Sequence, residues 1–495
     1  HPQTLGSMPQ ASEIEVHAEE LWNLCSELPL PVTHAFRSCI CGLESSHGEE
    51  AEVRKWVSRA RRLLVVNEPP PHLLHYLAYA ATWALASIDD LAGALSFAPR
   101  MSAGAHGTTF VQSSLLSALG YHEPAVASFD LAHGALLRMG WDWKHVVSSS
   151  DIPGLLSAQQ VALMLSFGLR GIYGLSWTRE SEAPEYKELI PLDEVDGFRR
   201  SCGVLPGLDL LSPGSGADVV QSRLSGGQEK VLKMIWKRII EPMLPRPLSQ
   251  ISGIDMVAVG WLAGLPYHVV GEAPRQGKYL GNEATVSLLP GFWWLSQEPV
   301  DFAGRNRLVF VKGDCHGVET PCKEEKRALE DMGFQVVRDK ANVLDALANG
   351  LVVHFSGHGK TPDIGEQALP AFILADGTEL TGEDLLNVGI SRTSPLVTFS
   401  TCELGFVFQS GGNLFGFPGM LLQRRTHSVV AHSALLNANV GCHFYGTFYK
   451  ELLAGGTVGQ SVLAALRQRP NMGKGARDPI LWSSFKLFGD QWLHL

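Results

Sequence analysis

Two apolar stretches that each end in a reactive side chain mark the first candidate site. The run Leu351 to Phe355 breaks into small residues around His358, and the run Pro395 to Phe399 leads in the same way to Cys402. Both runs are typical of strands buried in a sheet. Chemistry in open α/β sheets gathers at the carboxyl ends of the strands. If the two strands are parallel neighbours, the imidazole and the thiol emerge side by side.

A cysteine and a histidine placed in this way form a candidate nucleophile and its base. Cysteine attacks as the thiolate, and a neighbouring imidazolium lowers the pKa of the thiol. The N–H groups of Gly359 and Cys402 are expected to donate to a tetrahedral oxyanion. A lone histidine and a lone cysteine are more often structural. Here both end apolar strands, with enough chain between them for an αβ crossover, which favours catalysis.

The C-terminal half alternates between strand and helix patterns. This alternation predicts an α/β fold with a mainly parallel sheet and helices on both faces. Strands are predicted over residues 254–259, 287–290, 308–311, 335–337, 351–355, 395–399, 427–432 and 482–488, and helices over residues 228–240, 323–332, 343–348, 414–424, 440–453 and 458–467.

Residues 1–225 are predicted to be mostly helical, with an irregular connection from about residue 175. The spacing of Ala125, Phe129 and Ala132 resembles the second helix of a tetratricopeptide repeat, where small residues let paired helices close. Degenerate repeats and an irregular helical domain both remain open. Either would provide a scaffold for a partner.

The composition is that of a folded, soluble protein, with 45% hydrophobic and 18% charged residues. A net charge of −10 argues against a nucleic-acid-binding surface. The eight cysteines follow no repeated spacing and are too sparse for a disulfide scaffold, which predicts a protein of the reducing cytoplasm. Cys39-Ile40-Cys41 does not have the spacing of zinc ligands, so no metal is predicted. No apolar run of about 18 residues and no basic, apolar leader occurs, so neither a membrane span nor a signal peptide is expected.

Two short motifs resemble parts of nucleotide sites. Leu224 to Gln228 matches the signature peptide of ABC-type ATPases, but no Walker A loop precedes it. Gly359 to Thr361 copies the end of a Walker A loop, but His354 replaces its first glycine and Pro362 follows where the phosphate-binding helix should begin. Ser225 is instead expected to cap an amphipathic helix. No cofactor is predicted, and a nucleotide sensor in the N-terminal region is the weakest alternative.

These motifs together resemble a CHAT domain, the caspase/separase-like cysteine peptidase domain often joined to tetratricopeptide repeats. The resemblance covers residues from about 228 to 490. The family's His-x-x-x-His-Gly motif is matched by His354 to Gly359, with His358 at the catalytic position, and its Ser-x-Cys-Glu-x-Gly motif is matched by Ser400 to Gly405. The tail agrees at residues 448–456, 464–467 and 479–482.

Two segments depart from the family pattern. The usual Ala-Gly-Ala before the strand at 427 is replaced by Leu422 to Thr426, and the usual Leu-Trp after that strand is replaced by His432 and Ser433. These changes are expected to reshape a substrate cleft while leaving the histidine and the cysteine intact.

The resemblance implies a caspase-like αβα sandwich over residues 226–495 and a clan CD cysteine endopeptidase. Cys402 would attack the scissile carbonyl of a protein substrate. His358 would act first as the base and then as the acid, and the N–H groups of Gly359 and Cys402 would hold the oxyanion. A thiolate–imidazole pair does not require a third member.

Three further side chains are candidates for smaller roles. Asp314, just past the strand at 308, is predicted to face the first substrate pocket and to favour a basic residue there. Glu403 is either a turn acceptor or a wall of that pocket. His354, four residues before His358, is interpreted as structural.

Two functions follow from these patterns. In the first, the chain is a latent peptidase in a bacterial defence or signalling pathway, and a partner or signal activates it through the helical N-terminal region. In the second, it is a catalytically silent caspase-like scaffold that binds through that region. The presence of both His358 and Cys402 in their motifs favours the peptidase, because a scaffold has no physical need for the pair.

Overall fold

The computed structural model describes residues 18–20, 22, 32–46, 49–66, 71–88, 90–97, 147, 149–168, 171–205, 224–296, 304–360, 371–387, 393–402, 404, 408–410, 413–433, 437–468, 482 and 484–495. The chain divides into two units. One is His1–Ala132 with Phe167–Arg170, and the other is His133–Ser166 with Gly171–Leu495.

Four helices account for most of the described part of the first unit, as predicted. They are α1 (Val32–Ser45), α2 (Glu50–Val66), α3 (Pro71–Ser87) and α4 (Leu91–Phe97). Their apolar faces share one core that includes Phe36, Trp56 and Ala81, all fully buried. Gly42 is required on α1, because a Cβ there would lie 2.2 Å from the Trp56 ring. Residues 125–132, which resemble a tetratricopeptide repeat, lie outside the described residues.

Sixteen strands are described in the chain. They are β1 (Gln160–Gly168), β2 (Gly171–Trp177), β3 (Glu185–Pro191), β4 (Gly253–Ala258), β5 (Thr285–Leu288), β6 (Leu308–Lys312), β7 (Gln335–Val337), β8 (Val352–Ser356), β9 (Gly359–Lys360), β10 (Ala371–Ile373), β11 (Glu379–Thr381), β12 (Leu396–Ser400), β13 (Phe408–Ser410), β14 (Asn413–Phe415), β15 (Ser428–His432) and β16 (Phe485–Gly489).

Eleven of these strands form one sheet, in the order β3-β2-β1-β4-β5-β16-β15-β12-β8-β6-β7. Neighbours from β1 to β16 are parallel, and so are those from β15 to β7. The two parallel groups meet where β15 and β16 run antiparallel, and β2 and β3 are also antiparallel. The predicted α/β class with a mainly parallel sheet is confirmed.

Helices flank these strands in the sequence. They are α5 (Ile152–Leu155), α6 (Leu192–Cys202), α7 (Gly226–Ile235), α8 (Glu319–Glu330), α9 (Lys340–Asn349), α10 (Gly382–Asn387), α11 (Phe417–Gln423), α12 (Ala438–Leu453) and α13 (Val458–Arg467). Ser225 caps α7 as predicted: its side chain accepts from the Gln228 N–H at 3.1 Å, and the Gln228 side chain accepts from the Ser225 N–H at 2.9 Å. Within the described ranges, no helix is both long and apolar enough to cross a membrane.

The irregular connection expected from about residue 175 is wrong up to residue 202, because β2, β3 and α6 occupy this segment. The sheet also begins before the boundary expected at residue 225, since β1 pairs with β4 from Gln160 opposite Gly253. The core of β1, Val161 to Leu165, is fully buried but rich in alanine, leucine and methionine. These residues favour helices locally, and pairing within a buried sheet overrides that preference.

His432, where the sequence departs from the family pattern, is fully buried at the end of β15. Its Nδ1 lies 3.3 Å from the Ser484 hydroxyl, and its Nε2 lies 3.3 Å from the Tyr445 hydroxyl. Burial, with a further contribution from the nearby His354, lowers the pKa of His432 to about 3. The fold therefore holds this imidazole neutral.

Replacing His432 by leucine, the family's usual residue, is expected to make the protein less sensitive to acid. A histidine in the unfolded chain has a pKa near 6.5, so below that pH the unfolded state binds one more proton than the fold does. The parent chain loses up to about 1.4 kcal/mol of unfolding free energy per pH unit for this reason, until pH about 3. Urea midpoints measured from neutral to acid pH should therefore fall less steeply in His432→Leu.

Exposed His443, on α12, provides the matched control. His443→Leu should retain the pH dependence of the parent. If the urea midpoints of the parent and of His432→Leu fall equally steeply with pH, the fold does not exclude a proton from His432.

Candidate active site

The two strands that carry the candidate dyad are adjacent and in register. β8 and β12 run parallel from Val352 opposite Leu396 to Ser356 opposite Ser400, and all five residues of each strand are buried. His358 and Cys402 each lie two positions beyond the last of these pairs. The sequence prediction that parallel neighbours bring the two residues to one edge therefore agrees with the observed register.

The main chain of His358 is fixed on both sides. Its N–H donates to the Asp314 carbonyl at 2.9 Å, and its carbonyl accepts from the Ile373 N–H at 3.1 Å. Gly357 precedes it with φ +151°, and a Cβ there would lie 2.8 Å from the Asp314 carbonyl oxygen. Only glycine fits this position without displacing the segment that holds His358.

The His358 side chain is oriented by the carbonyl of His316, a group that the sequence did not single out. Nε2 of His358 lies 2.8 Å from the His316 carbonyl oxygen. Because a carbonyl can only accept, Nε2 carries the proton in this bond, which leaves Nδ1 unprotonated in the neutral ring. The bond thus selects the tautomer in which Nδ1 can receive a proton.

Gly359 links the two halves of the site. A Cβ at this position would lie 2.5 Å from the Cys402 carbonyl oxygen and 2.8 Å from Leu404 Cγ. Gly359 is paired with Phe372 on β10, next to the bond from Ile373 to His358. In this antiparallel pattern the Gly359 N–H points away from β10. This direction agrees with the oxyanion role predicted for it, which remains a prediction.

A small cavity of about 40 Å³ has both His358 and Cys402 in its wall. Helix α8 contributes Cys322 and Glu325 to the cavity wall, and the end of β8 contributes Ser356. Cys402 is partly buried and shares the wall of this cavity with His358. The lining combines a thiol, a carboxylate and a hydroxyl with the two candidate catalytic groups.

Glu325 is the main feature of this cavity that sequence reasoning missed. Its side chain is 3% exposed, and one carboxylate oxygen accepts from the Ser356 hydroxyl at 2.5 Å. The other oxygen lies 3.5 Å from Nε2 of His354, and neither of these two atoms has a hydrogen bond among the described residues. The i, i+3, i+7 spacing of Cys322, Glu325 and Leu329 marks an inward face, but α8 contains four glutamates and spacing alone does not identify this one as functional.

His354 is completely buried, as its predicted structural role requires. Its Nδ1 lies 2.7 Å from the Thr398 hydroxyl on β12 and 3.3 Å from the Tyr449 hydroxyl on α12. The imidazole therefore ties β8 to its neighbouring strand and to a helix packed behind them.

The two predicted pocket residues have different outcomes. The Asp314 carboxylate accepts from the His316 N–H at 3.2 Å, which stabilises the turn that orients His358. Its predicted contact with a substrate side chain remains a prediction. Glu403 lies outside the described residues. Among the residues the structure describes, no group of three or more histidine, cysteine, aspartate or glutamate side chains is placed to hold a metal ion.

Two solved structures of the Saccharomyces cerevisiae separase–securin complex are similar to this chain. The structure at 3.0 Å resolution has a TM-score of 0.46 and 8% sequence identity, and the match covers 97% of this chain and 40% of the other. The structure at 2.6 Å resolution has a TM-score of 0.46 and 10% identity, with 92% and 40% covered. This chain thus spans less than half the length of either matched chain. No curated protein sequence matches it.

The sequence of residues 229–490 matches the CHAT domain, as the motifs around His358 and Cys402 predicted. The match includes every strand from β4 to β16. Both dyad strands, β8 and β12, therefore lie inside it. Because the matched segment is more than half of the chain, the protein belongs to the CHAT domain family.

Proposed function

We propose that the protein is a cysteine endopeptidase in which Cys402 is the nucleophile and His358 is the general base and acid. The observation that supports this most strongly is the register of β8 and β12. Two buried parallel strands end at the same level, and each is followed after two residues by one member of the dyad. The His316 carbonyl bonded to Nε2 adds the orienting group that a base of this kind uses.

The proposed reaction proceeds through a thioester. The thiolate of Cys402 bonds to the scissile carbonyl carbon, and the oxyanion accepts hydrogen bonds from the Gly359 and Cys402 N–H groups. The C–N bond then breaks as His358 gives its proton to the leaving amine. Water, losing a proton to His358, attacks the thioester and frees the cysteine. No cofactor takes part in these steps.

We assign regulation to the helical unit, which contains α1 to α4 and none of the dyad residues. In this proposal the resting peptidase is latent, a protein partner or signal acts through the helices, and the cleaved protein is the effector of a defence or signalling pathway. The alternative is a catalytically silent scaffold. The alternative has no use for an imidazole whose tautomer is set by a main-chain carbonyl.

Reaction with a small thiol electrophile such as iodoacetamide tests the dyad. We expect Cys402 to be alkylated far faster than an ordinary cysteine below pH 7, because the neighbouring imidazolium keeps the thiol ionised. His358→Ala should abolish this advantage, and His358→Asn, which retains a polar side chain, should do the same. Rates are read at each cysteine by mass spectrometry.

Cys442 is an internal reference in the same experiment. Burial raises the pKa of its thiol to about 12, so it should react slowly in every variant. If Cys402 reacts like an ordinary thiol in the parent and in both variants, the resting chain has no assembled dyad. The scaffold would then be favoured unless addition of a partner restored the reactivity.

A further inference from the structure

A second pair of cysteines lies beside the candidate dyad. Cys315 follows β6, and Cys322 lies in the first turns of α8, seven positions later. The chain between them folds back: the Val318 N–H donates to the Cys315 carbonyl at 3.0 Å, and the Cys322 N–H donates to the Val318 carbonyl at 3.2 Å. Gly317, with φ +79°, completes the turn. The Cys315 thiol donates to the Gly313 carbonyl at 3.5 Å, and a hydrogen bond between the two thiols shifts the pKa of each.

This thiol pair encloses the group that orients the catalytic base. His316, whose carbonyl accepts from Nε2 of His358, lies in the turn between the two cysteines. Cys322 also lines the cavity that contains His358 and Cys402. Any change in the distance between the two sulfurs therefore acts on the turn that holds His358 and on a wall of the cavity.

The two thiols differ in a way that suits disulfide formation. The hydrogen bond from Cys322 lowers the pKa of Cys315, and Lys312 contributes in the same direction, while burial, Glu325 and Asp314 oppose it. The pKa of Cys322 is raised by the same hydrogen bond and by burial. Both residues are only partly buried. Of the two thiols, Cys315 is therefore the one more readily ionised, and the thiolate is the form that reacts with an oxidant.

We propose that Cys315 and Cys322 are a modification site, a thiol pair that a peroxide closes to a disulfide and a dithiol reopens, and that the closed form misaligns His358. The thiolate of Cys315 attacks one peroxide oxygen, the O–O bond breaks, and a sulfenic acid forms. The leaving hydroxide takes up the proton that Cys315 lost on ionisation and departs as water. Cys322 then attacks this sulfur, and a second water leaves. Two thiols are oxidised and one peroxide is reduced to two waters.

Closure shortens the separation of the sulfurs to about 2.05 Å. This length is well below the sulfur–sulfur separation in a thiol–thiol hydrogen bond. The two sulfurs must therefore move together, and the turn at His316 that connects them must shift. A misplacement of about 1 Å in a catalytic group can cost on the order of 100-fold in rate. In a reducing compartment, the disulfides that do form are usually transient and act in catalysis or redox sensing. The effect on Cys402 rests on the proposed function, whereas the disulfide itself does not.

The test treats the full-length chain with hydrogen peroxide and then digests it without reduction. Mass spectrometry should show a peptide linking Cys315 to Cys322. The alkylation rate of Cys402 should fall at least tenfold and should recover after dithiothreitol. In Cys315→Ser and in Cys322→Ser the link should be absent, and Cys402 should respond less to peroxide than in the parent.

Cys442→Ser is the matched control, since this residue is also a partly buried cysteine and should leave both the link and the response unchanged. A link from Cys322 to Cys402 instead, or no link at all, would overturn the modification site. A link from Cys315 to Cys322 with an unchanged rate at Cys402 would overturn its effect on the dyad. If the link forms but Cys402 is slow even in the reduced chain, the peptidase proposal fails and the modification site stands.

Discussion

Replacing Cys402 by serine or His358 by alanine is expected to lower peptide cleavage on the order of 10⁴-fold. Each change removes half of one reacting unit, because the thiolate needs the imidazole and the imidazole has no nucleophile without the thiol. For the same reason the double variant should be no slower than either single variant. The measurement is kcat/KM on a library of short fluorogenic peptides, with the single and double variants compared in one cycle.

Two changes on α12 are the controls for this cycle. Cys442→Ser and His443→Ala alter the same residue types on a helix that carries neither member of the dyad, and they should retain the parent rate. Losses that multiply in the double variant would mean that His358 and Cys402 act independently. A single variant that retains more than a tenth of the parent rate would remove that residue from the proposed mechanism.

The parts of the fold predicted from sequence are those in which local pattern and tertiary role agree. The apolar runs at 351–355 and 395–399 have no helical periodicity and end in small residues, and both are buried strands in the structure. The helix predicted over 458–467 has the observed bounds, and in the structure Thr457 and Gln460 form a capping box at its start. The adjacency of His358 and Cys402 was predicted on the condition that their strands are parallel neighbours, and β8 and β12 meet that condition.

The features that were missed depend on partners distant in sequence. Lys486 lies in the last strand, β16, where a charged residue suggests a solvent-facing position, yet it is 3% exposed. Its ammonium donates to the carbonyl oxygens of Ala263, Gly264 and Leu265, more than 200 positions earlier. Glu325 is similar, because its only hydrogen-bond donor, among the described residues, is Ser356 on another element. No local pattern encodes these pairings.

The orienting carbonyl of His316 was missed for a different reason. A main-chain group has no residue type, so the sequence does not distinguish one carbonyl from another. The turn that aims it is set by the Asp314 carboxylate at the His316 N–H and by the positive φ of Gly317. The side chain of His316 is 92% exposed, and it is the carbonyl rather than the ring that bonds to His358.

Replacing Gly359 by alanine is expected to reduce peptide cleavage by about 100-fold or more while leaving the protein folded. The sequence analysis assigned the N–H of this glycine to the oxyanion. In the structure the space around its Cα is also limited, because a Cβ would lie 2.5 Å from the Cys402 carbonyl oxygen. Carbon and oxygen at that distance repel strongly, and the group that must yield is the main chain of the nucleophile.

The expected loss follows from displacement of Cys402 relative to His358. Relieving the contact needs a shift of about 1 Å, which is enough to cost on the order of 100-fold in rate. The measurement is kcat/KM on the peptide library, together with the alkylation rate of Cys402, which should fall in parallel. Urea unfolding should change little by comparison, since the clash lies at an edge of the sheet that is only partly buried.

Gly197, in the middle of α6, is the matched control for this substitution. A Cβ there meets nothing within 4 Å, so Gly197→Ala should retain the parent rate and, as a helix-interior change from glycine, should raise stability by up to about 1 kcal/mol. If Gly359→Ala cleaves peptides and alkylates at the parent rate, the main chain at Cys402 can move without loss of function. The close approach of β9 to Cys402 would then be a packing feature rather than part of the catalytic geometry.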